Sequence, residues 1–422
     1  MVIRSTHLRC AAAAAVGFAI TTAHPLGIAS AILMPALALS QATRRSSYTA
    51  ALSYYGAALW PMIPGAKNFF GPDVSVLAAL LSWTFATGAL ASVWPLVWSS
   101  DRRQAVWRSP LGLLLTVLPP LGIIGFASPL TAAGFLFPRT AWCGLLACAF
   151  LSGALGAWPR RAAVAIACFA VTANAVHFEK PKPLRGWQGI DTNFGSIAHG
   201  RVNPIIEYQA AQWIQQYALS SSAKVIVFPE TVVPTWTAAT EAFWQQTLDR
   251  LRTSGKTILV GARLPVGSGN QLQAPYDFSA DLVALRGGSY HPFSPIARFH
   301  VDHRGFAYDN TVLVRGAETG EFFQHIPVPV GMWNPFRGDS ARLHLFAPSV
   351  LPIGGERAGV LVCYEQILSW PVLTSVVYGP TVFVAVANDH WATGTPIPAF
   401  QAAALRAWSR LFGIPAVSAT NR

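Results

Sequence analysis

The chain has 422 residues, of which 52% are hydrophobic and 11% charged, and its formal net charge is +12. Soluble domains carry roughly 25% charged residues, so this composition excludes a chain that is soluble throughout. The charge is unevenly divided: residues 1–180 hold 12 Lys or Arg against 3 Asp or Glu, and residues 181–422 hold 18 against 15.

A membrane helix needs about 20 mostly apolar residues. Seven stretches qualify as candidates, at 8–24, 26–42, 47–64, 76–98, 110–128, 140–157 and 162–177. Residues 1–24, with a basic start and an apolar run, read either as the first span or as a cleaved signal peptide. Arg4 and Arg9 precede the first candidate span. Arg44 and Arg45 follow the second, Arg102, Arg103 and Arg108 the fourth, and Arg160 and Arg161 the sixth. Every even-numbered connection is therefore basic, whereas the odd-numbered ones hold only Lys67 and Arg139. The positive-inside rule then puts the amino terminus inside and the residues after 177 outside, in the periplasm of a bacterium. The excess charge is thus a topology signal, and no direct nucleic-acid partner is expected. The apolar stretch 127–139 is expected to dip into the membrane interface and, with the third span, to floor a lipid-facing site.

From about residue 178 the pattern changes. Lys180, Pro181, Lys182 and Pro183 read as a stiff linker. Short apolar β-rich runs follow at Val225–Phe228, Thr257–Gly261, Thr311–Val314, Gly359–Cys363, Val382–Val386 and Ile414–Ser418. Helical patterns lie between some of them, at Pro204–Leu219, Ala239–Ser254 and Pro398–Phe412, the last stopped by Gly413. Strands alternating with amphipathic helices argue an α/β domain. The predicted organisation is a multi-pass helical membrane domain over residues 1–177 and a periplasmic α/β domain over 178–422.

Three strand ends carry candidate chemistry. Val225-Ile-Val-Phe-Pro-Glu230 ends in an acid, which reads as a surface carboxylate or as a base whose pKa burial raises. Gly359-Val-Leu-Val-Cys363 ends in a thiol, read as a small buried hydrophobe or as a nucleophile able to form a thioester. Val386-Ala-Asn388-Asp389-His390-Trp391 reads as an Asx-turn or as a pocket lining. His325 and His390 are isolated and are given structural roles. Cys10, Cys143, Cys148 and Cys168 lie in apolar stretches, and Cys363 is the one cysteine after residue 177. A disulfide framework is thereby excluded for that domain, and Cys363 is expected to be the reactive thiol. No phosphate-binding loop, dinucleotide fingerprint or metal-ligand cluster is present, so neither metal nor cofactor is expected.

Taken in order, Phe228-Pro-Glu230, Cys363-Tyr-Glu365, Asn388-Asp-His-Trp391 and Arg406-Ala, then Gly413-Ile-Pro-Ala-Val-Ser-Ala-Thr-Asn421, resemble the nitrilase (carbon–nitrogen hydrolase) superfamily. Membrane spans ahead of such a domain are similar to the layout of apolipoprotein N-acyltransferases. Ser128-Pro-Leu-Thr, Phe137-Pro-Arg and Pro327-Val-Pro-Val-Gly-Met-Trp333 resemble TraB-type conjugal transfer proteins of Ti and related plasmids. The resemblance covers nearly the whole chain. It implies a four-layer αββα sandwich, with Glu230 as base, Cys363 as nucleophile, and Tyr364, Glu365, Asn388 and Trp391 in support. It also implies a membrane lipid as acyl donor, transfer-apparatus proteins as partners and the inner membrane as location.

Two departures bear on chemistry. Gln324 stands where the family lysine is expected and Met332 where a second glutamate is expected, with Arg337 the next cation downstream. The chain also stops at Arg422 directly after the last matching strand, so the sandwich is expected to be short at that end. The readings that follow are a Glu/Cys domain performing acyl transfer or amide hydrolysis at the membrane surface, and a catalytically inactive module that docks a lipid, a peptide or a transfer-apparatus protein.

Overall fold

The apolar stretches of the first part form helices in the computed structural model, which describes residues 2–70, 75–177, 184–195, 204–266 and 307–422. The helices are α1 (Val2–Thr21), α2 (Pro25–Ala29), α3 (Leu33–Leu39), α4 (Arg44–Leu59), α5 (Met62–Phe70), α6 (Val76–Ala91) and α7 (Val93–Val97). They continue with α8 (Ala105–Val117), α9 (Ala133–Leu136), α10 (Ala141–Ala157) and α11 (Pro159–Val176). Local chemistry sets their starts. Thr43 and Ser46 form a reciprocal capping box on α4, and Ser75 caps α6 through the amide of Ala78.

Several expected spans differ in extent. The second is interrupted by the 3-10 turn Ser30–Ile32. The fifth is helical only to Val117, because Pro119-Pro120 follows and proline has no N–H to continue the ladder. Among the described residues, one helical stretch, Val76–Val97, is both long and apolar enough to cross a membrane. The apolar helical stretches Pro25–Leu39 and Ala141–Ala157 are shorter. The expected linker Lys180–Pro183 lies outside the described residues.

The second part holds two mixed sheets. The first runs β1 (Trp187–Gly189), β2 (Val225–Val227), β3 (Thr257–Pro265), β4 (Tyr308–Gly316) and β5 (Gly320–Phe323). Its first three strands are parallel and its last two antiparallel additions. The second runs β6 (Val350–Ile353), β7 (Glu356–Val362), β8 (Val382–Asn388) and β9 (Ala416–Asn421), with β6 antiparallel and the others parallel. Side chains alternate across each strand, so each sheet contributes to two cores. Val225, Val227, Leu259 and Val312 meet Val360, Val362, Val384 and Val386 between the sheets. Ile226, Ile258 and Val260 face the other way, onto Ile214 of α12 (Pro204–Ser220) and Trp244 and Leu248 of α13 (Ala238–Thr253). On the far side of the second sheet, Leu361, Phe383 and Ala385 pack against α14 (Ser369–Val377) and α15 (Ile397–Phe412). The layers are therefore helix, sheet, sheet, helix, and the fold is the nitrilase-like sandwich that the sequence motifs imply.

The outer helical layer of this sandwich is not left to solvent. Phe400, Ala404, Trp408 and Leu411 of α15 share one continuous core with Leu90, Trp94, Leu130 and Phe137 of the amino-terminal helices. The contact is backbone to backbone at α9. A Cβ on Gly134 would stand 1.9 Å from the carbonyl oxygen of Ala407. The amide of Arg139 donates to the Arg410 carbonyl at 2.7 Å, and Arg410 in turn bonds the Gly134 carbonyl and Asn174. The stretch 127–139, expected to dip into the membrane interface, supplies this docking surface, with Pro129–Ala132 buried.

Gly134→Val would force these backbones apart. Overpacking of this kind costs roughly 1–3 kcal/mol. The variant is expected to melt below the wild type in a thermal scan of detergent-solubilised protein. An unchanged melting temperature would show that the contact is not close.

Candidate active site

Strand β2 delivers Glu230 to the carboxyl edge of the first sheet through Phe228-Pro229. Its path presses on β3: a Cβ on Gly261 would lie 2.4 Å from the Glu230 Cα, so only glycine fits there. Strand β7 delivers Cys363 to the matching edge of the second sheet. The cysteine backbone is left-handed, with φ +49°, a conformation that costs a non-glycine residue about 1 kcal/mol or more. It is held from both sides. The Val362 amide donates to Glu365 Oε2 at 2.8 Å, and the Val362 carbonyl accepts from Gln324 Nε2 at 3.1 Å.

Glu365 does more than cap. Its other oxygen accepts from the amides of His325 at 2.5 Å and Ile326 at 3.0 Å. His325 Nδ1 stands 3.3 Å from Glu365 Oε1, an ion-pair distance off the line of a good hydrogen bond. Burial works against the charge on this imidazole, but the Glu365 carboxylate, with the Ala347 carbonyl on Nε2, outweighs it and raises its pKa. His325 thus has the structural role expected of it.

The two strand ends meet through one asparagine. Asn310 Nδ2, on β4, donates to Glu230 Oε1 at 2.6 Å and to Gln324 Oε1 at 2.8 Å. The second oxygen of Glu230 accepts from the Asn388 amide at 3.1 Å, and Asn388 Oδ1 accepts from Asn421 at 3.1 Å. Asn388 therefore bonds across the sheet end, not back to its own turn. Cys363 and Glu230 line the same cleft, where the carboxylate acts on the thiol. Glu230, Gln324, Cys363 and Asn388 are brought together. Trp391 and His390 line the same narrow cleft, of about 30 Å³. Tyr364 points elsewhere, its hydroxyl donating to the Ile123 carbonyl at 3.0 Å and its ring against Phe126. Among the described residues, no group of three or more His, Cys, Asp or Glu is placed to hold a metal.

No family model matches the sequence. It is 30% identical to a protein of Sinorhizobium fredii named "Probable conjugal transfer protein TraB", over 93% of this chain and 92% of that one. It is also 30% identical to "Conjugal transfer protein TraB" of Agrobacterium fabrum, over 96% of this chain and 90% of that one. The chain belongs to the TraB family of conjugal transfer proteins. Among solved structures, an amidase from Nesterenkonia sp. matches at 14% identity, over 55% of this chain and 76% of that one, with a TM-score of 0.31. A second structure of that nitrilase-superfamily amidase matches at 13% identity, over 55% and 74%, with a TM-score of 0.32.

Three residues at the site carried no motif. Asn310 is the third residue of β4 and bonds Glu230, and Phe69 lines the cleft from α5. Arg263 lies within β3, two residues before its end, and pairs in register with Asn310. Arg337, the cation expected to reach in, is exposed and forks onto Asp339 at 2.6 and 2.8 Å. A two-residue spacing lets that pair close locally, which keeps the guanidinium out of the site.

Two carboxylates, Glu230 and Asp389, act on the thiol in this TraB cleft. Burial raises the pKa of Glu230, partly offset by Asn310, Cys363, the Asn388 amide and the charge of Arg263. Asp389 is pushed up to about 7, by burial first and by Glu230 second. Burial pushes the Cys363 thiol well above its usual value, and the charges of Glu230 and Asp389 add to that. The thiol expected from the sequence to be reactive is 3% exposed, and its raised pKa keeps it protonated near neutral pH.

Because the thiolate is the nucleophile, alkylation of Cys363 by iodoacetamide should keep rising about tenfold per pH unit through pH 9. Peptide mass mapping of solubilised protein would follow it. A plateau below pH 8 would contradict a raised thiol pKa.

Proposed function

We propose that this TraB-family chain is a multi-pass inner-membrane protein whose α/β domain forms a thioester on Cys363. In this reading residues 1–177 are the membrane domain, with about seven spans, and residues 178–422 are periplasmic. The arginine distribution supports the orientation. Glu230 takes the thiol proton as sulfur attacks an acyl carbonyl. The neutral leaving group departs, and water or an amine then releases the acyl chain. General-base attack suits a thiol that is protonated at rest.

The observation that carries this reading is an apolar cavity of about 440 Å³ joined to the thiol cleft through Phe69, Val328 and Trp391, which line both. Its walls come from α5 and α6 on one side and from Tyr364, Ile367 and Phe400 on the other. Leu81 and Phe85 of α6 line it although they are 60% and 71% exposed. The cavity therefore opens sideways, along the face that would meet hydrocarbon. The third span and the start of α5 form part of the wall, with Ile124 and Phe126 in the place expected of 127–139. A membrane lipid is the acyl donor that such a cavity fits.

One observation favours the inactive docking module instead. Gln324 is engaged at both ends, to Asn310 and to Val362, and gives the site a neutral clamp where the family resemblance implies a lysine. Intact mass measurement of the chain in phospholipid nanodiscs separates the readings. A thioester adduct should accumulate on the wild type and be absent from Cys363→Ser. Glu230→Gln should slow it by about 100-fold or more. A wild type that stays unacylated through long incubation would leave the docking reading.

A further inference from the structure

An acyl transfer to a thiol passes through a tetrahedral adduct whose oxygen carries negative charge. A donor fixed at that oxygen is usually the largest single contribution to the rate. The obvious donors around Cys363 are already engaged. Gln324 Nε2 is bound to the Val362 carbonyl, Asn310 Nδ2 to Glu230 and Gln324, and the Asn388 amide to Glu230. The two nearest acids, Glu230 and Asp389, would repel an oxyanion.

Arg263 is placed differently. Ile258, Val260 and Ala262 turn toward the α12 and α13 layer while Leu259 faces the inter-sheet core, so alternation puts Arg263 on the inter-sheet face. It pairs in register with Asn310, the residue that joins Glu230 to Gln324. Its side chain lines the same cleft as Glu230 and Cys363. The guanidinium carbon lies 4.9 Å over the ring of Tyr308, which holds the head group in place. Its Nε is shielded from solvent and has no hydrogen-bond partner among the described residues. A shielded N–H left unpaired is costly unless something arrives to pair with it.

We propose that Arg263 is the anion-binding residue of this site and receives the carbonyl oxygen of the acyl substrate as it becomes an oxyanion. The inference rests on the acyl-transfer reading above. In the step, a bond forms between Cys363 Sγ and the carbonyl carbon, and the C=O π pair moves onto oxygen facing Arg263. The thiol proton passes to Glu230. Collapse of the adduct breaks the bond to the leaving oxygen or nitrogen, which takes the proton from Glu230 and departs as alcohol or amine. The reacting carbonyl would sit in the cleft, and the acyl chain would extend past Phe69, Val328 and Trp391 into the apolar cavity.

The test compares two reactions of the same thiol in full-length protein. Acylation by p-nitrophenyl decanoate builds an oxyanion; alkylation by iodoacetamide does not. Arg263→Gln should acylate about 100-fold more slowly while alkylating within about threefold of the wild type. Arg263→Lys, which keeps the charge, should recover about tenfold or more of that loss. Wild-type acylation by Arg263→Gln, or a parallel fall in both reactions without rescue by lysine, would overturn the role of Arg263 and leave the acyl-transfer reading standing. A wild type that alkylates at Cys363 and never acylates would overturn that reading and this inference with it.

Discussion

One buried carboxylate holds the site together. Glu365 accepts three backbone amides, two from the segment leaving the first sheet and one from the last residue of β7 in the second sheet. A carboxylate taken out of water is costly unless it is paired and hydrogen-bonded, and here amides together with the imidazole of His325 surround it. The consequence is geometric. The end of one sheet is tied to the end of the other at the residue before the thiol, and the left-handed turn at Cys363 is imposed by its neighbours. Removal of this carboxylate would free several buried amides at once, so its effect on structure would precede any effect on chemistry.

The polar chain built on that tie is neutral along most of its length. Glu230, Asn310, Gln324 and the Val362 carbonyl form a continuous run of hydrogen bonds across the gap between the sheets. A neutral amide at position 324 holds the geometry without lowering the thiol pKa, which burial and the carboxylates raise. Positive charge enters the cleft from β3, through Arg263, and not from the loop that carries Gln324. Beside this polar chain lies the apolar cavity, whose wall is shared with the amino-terminal helices. The docking of those helices on α15 is therefore part of the site and not only of its anchorage.

Much of this was legible because of where polar residues interrupt apolar strands. Glu230, Cys363 and Asn388 each follow or end a buried run; parallel pairing brings Cys363 and Asn388 to one edge of the second sheet, and the packing of the two sheets brings Glu230 to them. The long strands were legible from the same runs, whereas β1, β5 and β6 were not: three or four residues of mixed burial carry no periodic signal. Asn310 was hidden inside an apolar strand, where a polar residue reads as noise until its partners are known. Arg263, inside β3, bore no motif. Arg337 showed that nearness in sequence does not place a side chain, because Asp339 two residues away holds it outside. The stretch 127–139 reads by composition as a membrane-interface segment, and its Gly134 also serves close packing on α15. Hydropathy cannot separate those two uses of an apolar stretch.

The central claim is that the thiol held by this arrangement does the work of the protein in conjugal transfer. Plasmid transfer frequency from donors lacking their own copy, complemented with wild type or Cys363→Ser, tests it most directly. With membrane levels of the two proteins matched by immunoblot, the account predicts that Cys363→Ser transfers no better than the empty vector. Transfer at the wild-type frequency would contradict it and make the domain a docking module.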